Sequence, residues 1–170
     1  MLYRFGSNGQ DGANPSAPLV IGPDGGLYGI TCCGGAFGFG AVFRLTPGTP
    51  WTERVLYSFQ GPGAFDGANP AGGLFLGPAG TLYGITSNGG TAGLGTVFEL
   101  KPPPQQGGAW SETVIADFDS TRGAFPQGNL VSAGDGKLYG TAGYGGPSSD
   151  GAVFELRLDA QAGSSAATSH

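Results

Sequence analysis

The chain has 170 residues, enough for one domain, and its 7 basic and 12 acidic residues give a net charge of −5. It has no basic stripe, which argues against a nucleic-acid partner and against binding to anionic membrane surfaces. No apolar run approaches the roughly 18 residues of a membrane span, and residues 1–10 lack the apolar core of a signal peptide. If the protein is exported, we expect its signal to lie outside this sequence.

The predicted elements are short strands, and no segment has the period of about 3.6 residues that marks a helix. In chain order, LYRF at 2–5 is typical of a strand and is followed by the turn sequence DGANP at 11–15. Four strands come next, separated by turns rich in glycine and proline. They are APLVIG at 17–22, LYGIT at 27–31, VFRL at 42–45 and ERVLYSF at 53–59.

This four-strand pattern occurs three times. Tyr28, Tyr83 and Tyr139 are 55 and 56 residues apart, and the flanking motifs align around them. Four antiparallel strands in a repeat of this length are typical of a β-propeller blade. The sequence therefore predicts an all-β fold with three four-stranded blades in residues 1–158. The repeats lie at about 1–50, 51–109 and 110–158, and the small polar residues at 159–170 predict a flexible tail.

Three motifs carry a resemblance to a known family. LYGITSNGG at 82–90, GTVFEL at 95–100 and W-x-E-x-VLYSF at 51–59 together resemble the GloVer-type tandem repeat of bacterial choice-of-anchor surface proteins. The resemblance extends from Leu2 to Leu156, and more distantly the order of motifs is similar to that of the kelch repeat. It implies a β-propeller that is exported and attached to the cell surface. It implies no activity that could be assigned to particular residues.

The order of strands predicts how the propeller closes. LYRF at 2–5 matches the fourth strand of a blade, whereas the third repeat has no fourth strand after 153–156. A ring needs roughly four to eight blades. Two chains, each completing the last blade of the other with its N-terminal strand, would form a six-bladed homodimer with C2 symmetry. The alternative is that the chain is a fragment of a longer propeller.

Two sets of loops are predicted to share one face of the propeller, and loops on a rigid scaffold often carry function. Within them, the Asp-Gly and Asn-Pro pairs suit loop bracing, which we favour over ligand binding. Calcium would suit their oxygen atoms, but no single loop has the spacing for about six to eight ligands, so we expect no cofactor. The aligned candidate residues are Asp11, Asp66 and Arg122; Asn14, Asn69 and Phe125; and Cys33, Asn88 and Tyr144.

Aromatic residues outside the strand pattern point to a carbohydrate. Phe37, Phe39, Phe65, Phe125 and Tyr144 lie in glycine-rich loops near Asn and Asp, and such rings stack on sugars. We therefore expect a non-catalytic extracellular binding or adhesion module, with a glycan or another surface molecule as ligand and with itself as partner. The alternatives are a self-assembling structural repeat protein that forms rings or filaments and, less favoured, a carbohydrate-active enzyme.

Residues suited to catalysis are scarce. The one histidine is His170 in the predicted tail, so neither a histidine triad nor a histidine metal site is predicted. Glu53 and Glu112 occupy equivalent places in two repeats, and we predict that they are solvent-facing charges on edge strands. No spacing indicates the paired carboxylates of a glycosidase.

Cys32 and Cys33 are the only cysteines, which excludes a disulfide framework. They align with Ser87–Asn88 and Gly143–Tyr144, so the packing of a blade does not require cysteine at these places. They are either reduced thiols or a vicinal disulfide that lines the ligand face, and an exported setting favours oxidation. A zinc site is disfavoured, because adjacent cysteines without a nearby histidine lack the usual ligand spacing.

Overall fold

The structure, a computed structural model, describes residues 1–6, 9–158 and 168–169. Within these residues the fold is all-β, with short strands paired antiparallel into sheets and no α-helix. Two single turns of 3-10 helix, Pro62–Ala64 and Pro78–Gly80, occur in the connections. The predicted all-β class is therefore confirmed. None of the helical turns in the described part of the chain is long enough to cross a membrane.

The first repeat forms a four-stranded sheet, named sheet 1. Its strands are β2 (Val20–Ile21), β3 (Leu27–Thr31), β5 (Ala41–Thr46) and β6 (Thr52–Ser58), in that spatial order. A separate short pair joins β1 (Gly12–Ala13) to β4 (Cys33–Gly34), which follows β3 after a single residue.

The second and third repeats form sheets 2 and 3 with the same connectivity. Sheet 2 contains β7 (Gly67–Pro70), β8 (Phe75–Leu76), β9 (Leu82–Gly89), β10 (Thr96–Lys101) and β11 (Ser111–Asp117). In it, β9 pairs with β7, β8 and β10, and β11 forms the outer edge. Sheet 3 has the order β12 (Ala124–Ser132), β13 (Lys137–Tyr144), β14 (Ala152–Arg157) and β15 (Thr168–Ser169).

The DGANP segments were predicted as loops between repeats, and that prediction is wrong. Gly67–Pro70 pairs with the far end of β9, where Gly67 lies opposite Gly89, and the short strand β1 pairs with β4 in the same way. Strand propensities do not predict these strands, because they are rich in glycine and proline, and both residues are depleted in ordinary strands. As a consequence, Cys33, Asn88 and Tyr144 lie on strands rather than in the loops that follow.

Two hydrophobic clusters join successive sheets. One contains Ile30, Val42 and Leu56 from sheet 1 against Leu74, Leu82, Phe98 and Leu100 from sheet 2. The other contains Ile85 and Val97 from sheet 2 against Leu130, Leu138, Phe154 and Leu156 from sheet 3. Each sheet therefore packs one face against the next, and the equivalent positions of the repeat meet at both junctions.

A phenylalanine at the end of each outer strand contacts the following sheet. Phe59 meets Phe98 edge to face at 5.1 Å between ring centroids, and Phe118 meets Phe154 at 5.0 Å. Phe5 meets Phe43 at 4.8 Å in the same manner. The Phe5 side chain thus occupies the position that Phe59 and Phe118, at the ends of outer strands, occupy against the sheets that follow them. Its backbone, residues 1–5, belongs to none of the described strands, although the sequence predicted a strand there.

The predicted tail falls mostly outside the described residues. Nothing is described for 159–167 or for residue 170, so the predicted flexibility is untested there. Thr168 and Ser169 pair with β14, opposite Glu155 and Phe154. This pairing covers part of the edge for which the sequence predicts a strand from a second chain.

Candidate functional site

Asp66 is a buried carboxylate that braces the start of the second repeat. Its Oδ2 atom accepts hydrogen bonds from the Tyr57 hydroxyl at 2.8 Å and from the Gln60 amide at 2.7 Å. Its Oδ1 atom accepts one from the Gly67 amide at 2.6 Å. Three donors satisfy the carboxylate inside the protein. This geometry is the one that loop bracing requires.

Asp11 repeats this arrangement in the first repeat. It is also buried, and its Oδ2 atom accepts from the Tyr3 hydroxyl at 2.9 Å and from the Gly6 amide at 3.0 Å. The third repeat lacks both members of the pair, since Ala116 and Arg122 stand where Tyr57 and Asp66 are expected. Arg122 is exposed and forms an ion pair with Asp119, 3.8 Å from Nε to Oδ2.

Asn14, Asn69 and Phe125 share a left-handed backbone, with φ values of 56°, 53° and 52°. Asn69 connects two repeats, because its Nδ2 atom donates to the Cys32 carbonyl at 3.2 Å and its amide donates to the Phe39 carbonyl at 2.9 Å. The Phe125 amide donates to the Leu94 carbonyl at 2.8 Å in the equivalent place. Asparagine tolerates this backbone better than most residues, which explains its use before proline here.

Glu53 and Glu112 are not the solvent-facing charges that the sequence predicts. The Oε1 atom of each is buried with no hydrogen-bond partner among the described residues, and the carboxylates of Asp11 and Asp66 lie near Glu53 and Glu112 respectively. Burial, and then the charge of Asp11, raises the pKa of Glu53 to about 7. Burial, and then the charge of Asp66, raises the pKa of Glu112 to about 8, although the nearby Tyr57 hydroxyl lowers it in part.

These two carboxyl groups are the members of the site that sequence reasoning missed. Glu112 lies beside Tyr57 and Asp66, and Glu53 lies beside Asp11. The available signal was their recurrence at one place of the repeat together with a tyrosine and an aspartate. The partners are distant in the sequence, so the contact could not be inferred from spacing alone.

Aromatic side chains are exposed in the turn after β4, in the connection before β7 and at the end of β13. Phe37, Phe65 and Tyr144 are exposed, while Phe125 is half-buried and meets the Tyr144 ring edge to face at 6.0 Å. The Phe39 ring packs over Gly61, where an added Cβ atom would lie 2.7 Å from it. This contact places the aromatic turn of the first repeat beside the turn that carries Phe65.

Asn88 is half-buried at the end of β9 and belongs to a local network. Its Oδ1 atom accepts from the Ser87 hydroxyl at 3.1 Å, and its carbonyl accepts from the Thr86 hydroxyl at 2.8 Å. In the first repeat, Cys32 and Cys33 take the places of Ser87 and Asn88. Their Sγ atoms are 2.7 Å apart, both thiols are unbridged, and both residues are half-buried.

The part of the chain that the structure describes contains no cluster of residues suited to binding a metal ion. Within those ranges, no group of three or more His, Cys, Asp or Glu residues could hold an ion. His170 lies outside the described residues. Calcium binding at Asp11 or Asp66 would also have to displace the tyrosine and amide donors that already bind these carboxylates.

The known proteins that resemble this chain include a repeat family and a solved structure. The model of the family described as Gloeobacter/Verrucomicrobia repeat matches residues 1–168. No curated protein matches the chain. An inulosucrase from Halalkalicoccus jeotgali, solved with bound kestose, is similar with a TM-score of 0.43 and 14% identity over 88% of this chain and 49% of that one. At that score the likeness supports no conclusion about fold or activity, and this chain spans about half the length of the inulosucrase.

Proposed function

Because the chain belongs to the Gloeobacter/Verrucomicrobia repeat family, with three repeats stacked through equivalent faces, we propose that it is a self-associating binding module. Its three sheets are three blades, half of a six-bladed β-propeller, and a second copy supplies the other half. The assembled ring is a non-catalytic binding module outside a bacterial cell. The observation that carries this proposal is that the two end sheets expose apolar residues whose equivalents are buried between sheets.

The outer face of sheet 3 provides the first half of this observation. Val153 is 65% exposed, whereas its equivalents Val42 and Val97 are both 0% exposed. Those two valines are buried because the following sheet covers them. In the described part of the chain no following sheet covers Val153.

The opposite face, on sheet 1, provides the second half. Leu19 is 47% exposed, against 7% for Leu74 and 5% for Leu130 at the equivalent places. Leu2 is 48% exposed, whereas its equivalent Leu56 is 9% exposed. The face around Leu19 is the surface that a preceding sheet covers elsewhere. The two exposed faces are therefore complementary, and either further repeats or a second copy would bury both.

Strand register is compatible with a second copy at this junction. In sheet 1, Tyr57 of the outer strand lies opposite Val42, so a Tyr3 at the same place would lie opposite Val153 of a partner. Thr168 and Ser169 pair only with Glu155 and Phe154. Residues 3 and 4 of a partner are expected to pair with Val153 and Ala152, and neither Thr168 nor Ser169 pairs with these two residues.

Light scattering at several protein concentrations tests the proposal. The unmodified chain should have twice the chain mass, and Val153→Asp or Leu19→Asp should each shift it to monomer, because a buried carboxylate without a partner is costly. Phe65→Asp is the matched control, since Phe65 is an exposed apolar residue on the loop side. A monomeric unmodified chain would overturn the proposal.

Mixing the two interface variants tests the head-to-tail arrangement. Val153→Asp retains an intact sheet 1 face, and Leu19→Asp retains an intact sheet 3 face. An equimolar mixture should therefore recover dimer through one unmodified contact, whereas each variant alone stays monomeric. If the mixture stays monomeric while the unmodified chain dimerises, the contact is not the one proposed. Deleting residues 1–5 is a weaker test, because it also removes Phe5 from Phe43 within the chain.

The exposed aromatic rings favour a glycan as the ligand of the assembled ring. Phe37, Phe65 and Tyr144 are exposed to solvent, and exposed aromatic rings can stack on sugars. Calorimetry with a panel of soluble oligosaccharides should detect binding that Phe37→Ala and Tyr144→Ala weaken without lowering the melting temperature. Binding that these substitutions leave unchanged would place the ligand elsewhere. The proposed location is tested by treating intact cells with a membrane-impermeant phosphine, which reduces any disulfide, and then labelling Cys32 and Cys33 with a membrane-impermeant maleimide.

A further inference from the structure

We propose that Cys32 and Cys33 form a reversible vicinal disulfide, which makes the end of the second strand of sheet 1 a two-electron oxidation site. Oxidation at this site requires neither self-association nor a glycan ligand. Three features of the structure support it: the sulfur–sulfur contact, the local backbone, and the residues at equivalent places.

The two sulfur atoms are held close together. The Sγ atoms of Cys32 and Cys33 are 2.7 Å apart, while a disulfide bond is about 2.05 Å long. Adjacent side chains on a regular strand point to opposite faces, so such a contact does not arise from ordinary strand geometry. The approach therefore needs a local change of the backbone.

The backbone supplies that change at Cys32 and only in the first of the three repeats. In sheets 2 and 3 the second strand is continuous through this place, as β9 and β13. In sheet 1 it is interrupted at Cys32 and resumes as β4 at Cys33. The chain remains anchored on both sides, because Cys33 lies opposite Ala13 and the Cys32 carbonyl accepts from Asn69.

Packing does not explain the cysteines. The equivalent pairs are Ser87–Asn88 and Gly143–Tyr144, which differ in size and polarity, and yet all three repeats form the same turn into Gly-Gly.

Both cysteines are half-buried next to the exposed turn that carries Phe37, so a small oxidant can reach them. Burial and the neighbouring Cys33 sulfur raise the pKa of the Cys32 thiol.

The reaction is thiol–disulfide exchange with a small disulfide such as glutathione disulfide. One cysteine thiolate attacks a sulfur of the oxidant, forms a mixed disulfide and releases one thiol. The neighbouring cysteine loses its proton to solvent and displaces the second thiol. The protein loses two hydrogen atoms and gains one S–S bond, and the oxidant is reduced to two thiols. The ring that closes has eight members and is strained, so excess thiol should reopen it.

Reaction of the reduced protein with the aromatic disulfide DTNB tests the proposal. A vicinal bridge releases two thionitrobenzoate ions per chain and leaves a protein about 2 Da lighter with no bound reagent. Retention of one or two thionitrobenzoate groups, or a disulfide-linked dimer on a non-reducing gel, would overturn it. Phosphine reduction should restore both thiols.

Three variants serve as controls. Cys32→Ser and Cys33→Ser each leave one thiol and should release one thionitrobenzoate while keeping the other bound. The double variant Cys32→Ser, Cys33→Asn copies the second repeat and should release none. Its melting temperature should lie within ~2 °C of the reduced parent, because packing at this place does not depend on cysteine. Single variants that release two equivalents would show that the reaction does not need the pair.

Discussion

Replacing Glu112 with glutamine should make the protein more stable at alkaline pH and leave it unchanged in acid. Burial and Asp66 raise the pKa of this carboxyl in the folded protein from its ordinary 4.5 to about 8. Between these two values the folded state holds a proton that the unfolded state has released. The stabilisation linked to this proton is fully present below pH 4.5, falls as the pH rises and is lost above pH 8.

The size of the effect follows from the same values. Each pKa unit corresponds to about 1.36 kcal/mol, so the whole difference would amount to ~5 kcal/mol for a fully buried group. Glu112 is only partly buried, and solvent screening reduces this to about 1–2 kcal/mol. Glutamine keeps the shape of the side chain and carries no charge beside Asp66. The unmodified protein should therefore lose about 1–2 kcal/mol relative to Glu112→Gln between pH 5 and pH 9.

Urea unfolding at pH 5, 7 and 9 measures this difference, at one fixed protein concentration because the proposed dimerisation would also contribute to stability. Glu155→Gln is the matched control, since its hydrogen bond to Lys137 lowers the pKa of Glu155. That variant should gain no stability at pH 9. A difference between Glu112→Gln and the unmodified protein that is the same at pH 5 and pH 9 would refute the reasoning.

Five further substitutions probe the contacts between repeats. Asn69→Ala should cost about 1–2 kcal/mol by urea unfolding, because the Cys32 carbonyl loses its donor, and Asn69→Gly should cost less, since glycine accepts the left-handed backbone. Phe59→Ala should cost about 3–5 kcal/mol by thermal or urea unfolding, and Phe5→Ala should cost less because Phe5 is half-buried. Tyr57→Phe should cost about 1–2 kcal/mol by urea unfolding by removing a donor to buried Asp66, whereas equal stability would show that the amides of Gln60 and Gly67 suffice.

The strand pattern could be predicted from the sequence because it depends on local signals. Alternating apolar residues mark β6, and the recurrence of Tyr28 at Tyr83 and Tyr139 sets the period. The strand pairing of DGANP could not be predicted from the sequence. Glycine and proline lower strand propensity, and the left-handed φ of Asn69 is not a sequence signal.

The candidate site was predictable only in part. The sequence favoured bracing over ligand binding for Asp66 and Asn69, and the structure gives their donors and acceptors. It misplaced Glu112, because this side chain lies beside Tyr57 and Asp66, which are distant from it in the sequence. An alternating strand pattern shows which residues share a face, but not what lies against that face.

The contact between Phe59 and Phe98 has a consequence for how the gene can change in length. Sheets 2 and 3 each contact the phenylalanine ring that follows the outer strand of the preceding sheet. The structural unit therefore consists of that outer strand and the first three strands of the next sheet, so it is offset from the sheet by one strand. Excision of the residues between two equivalent positions, such as the 55 residues 20–74, joins halves that already fit each other. Copies can therefore be gained or lost wherever recombination occurs, without a new junction having to evolve, because each unit contacts only its neighbours.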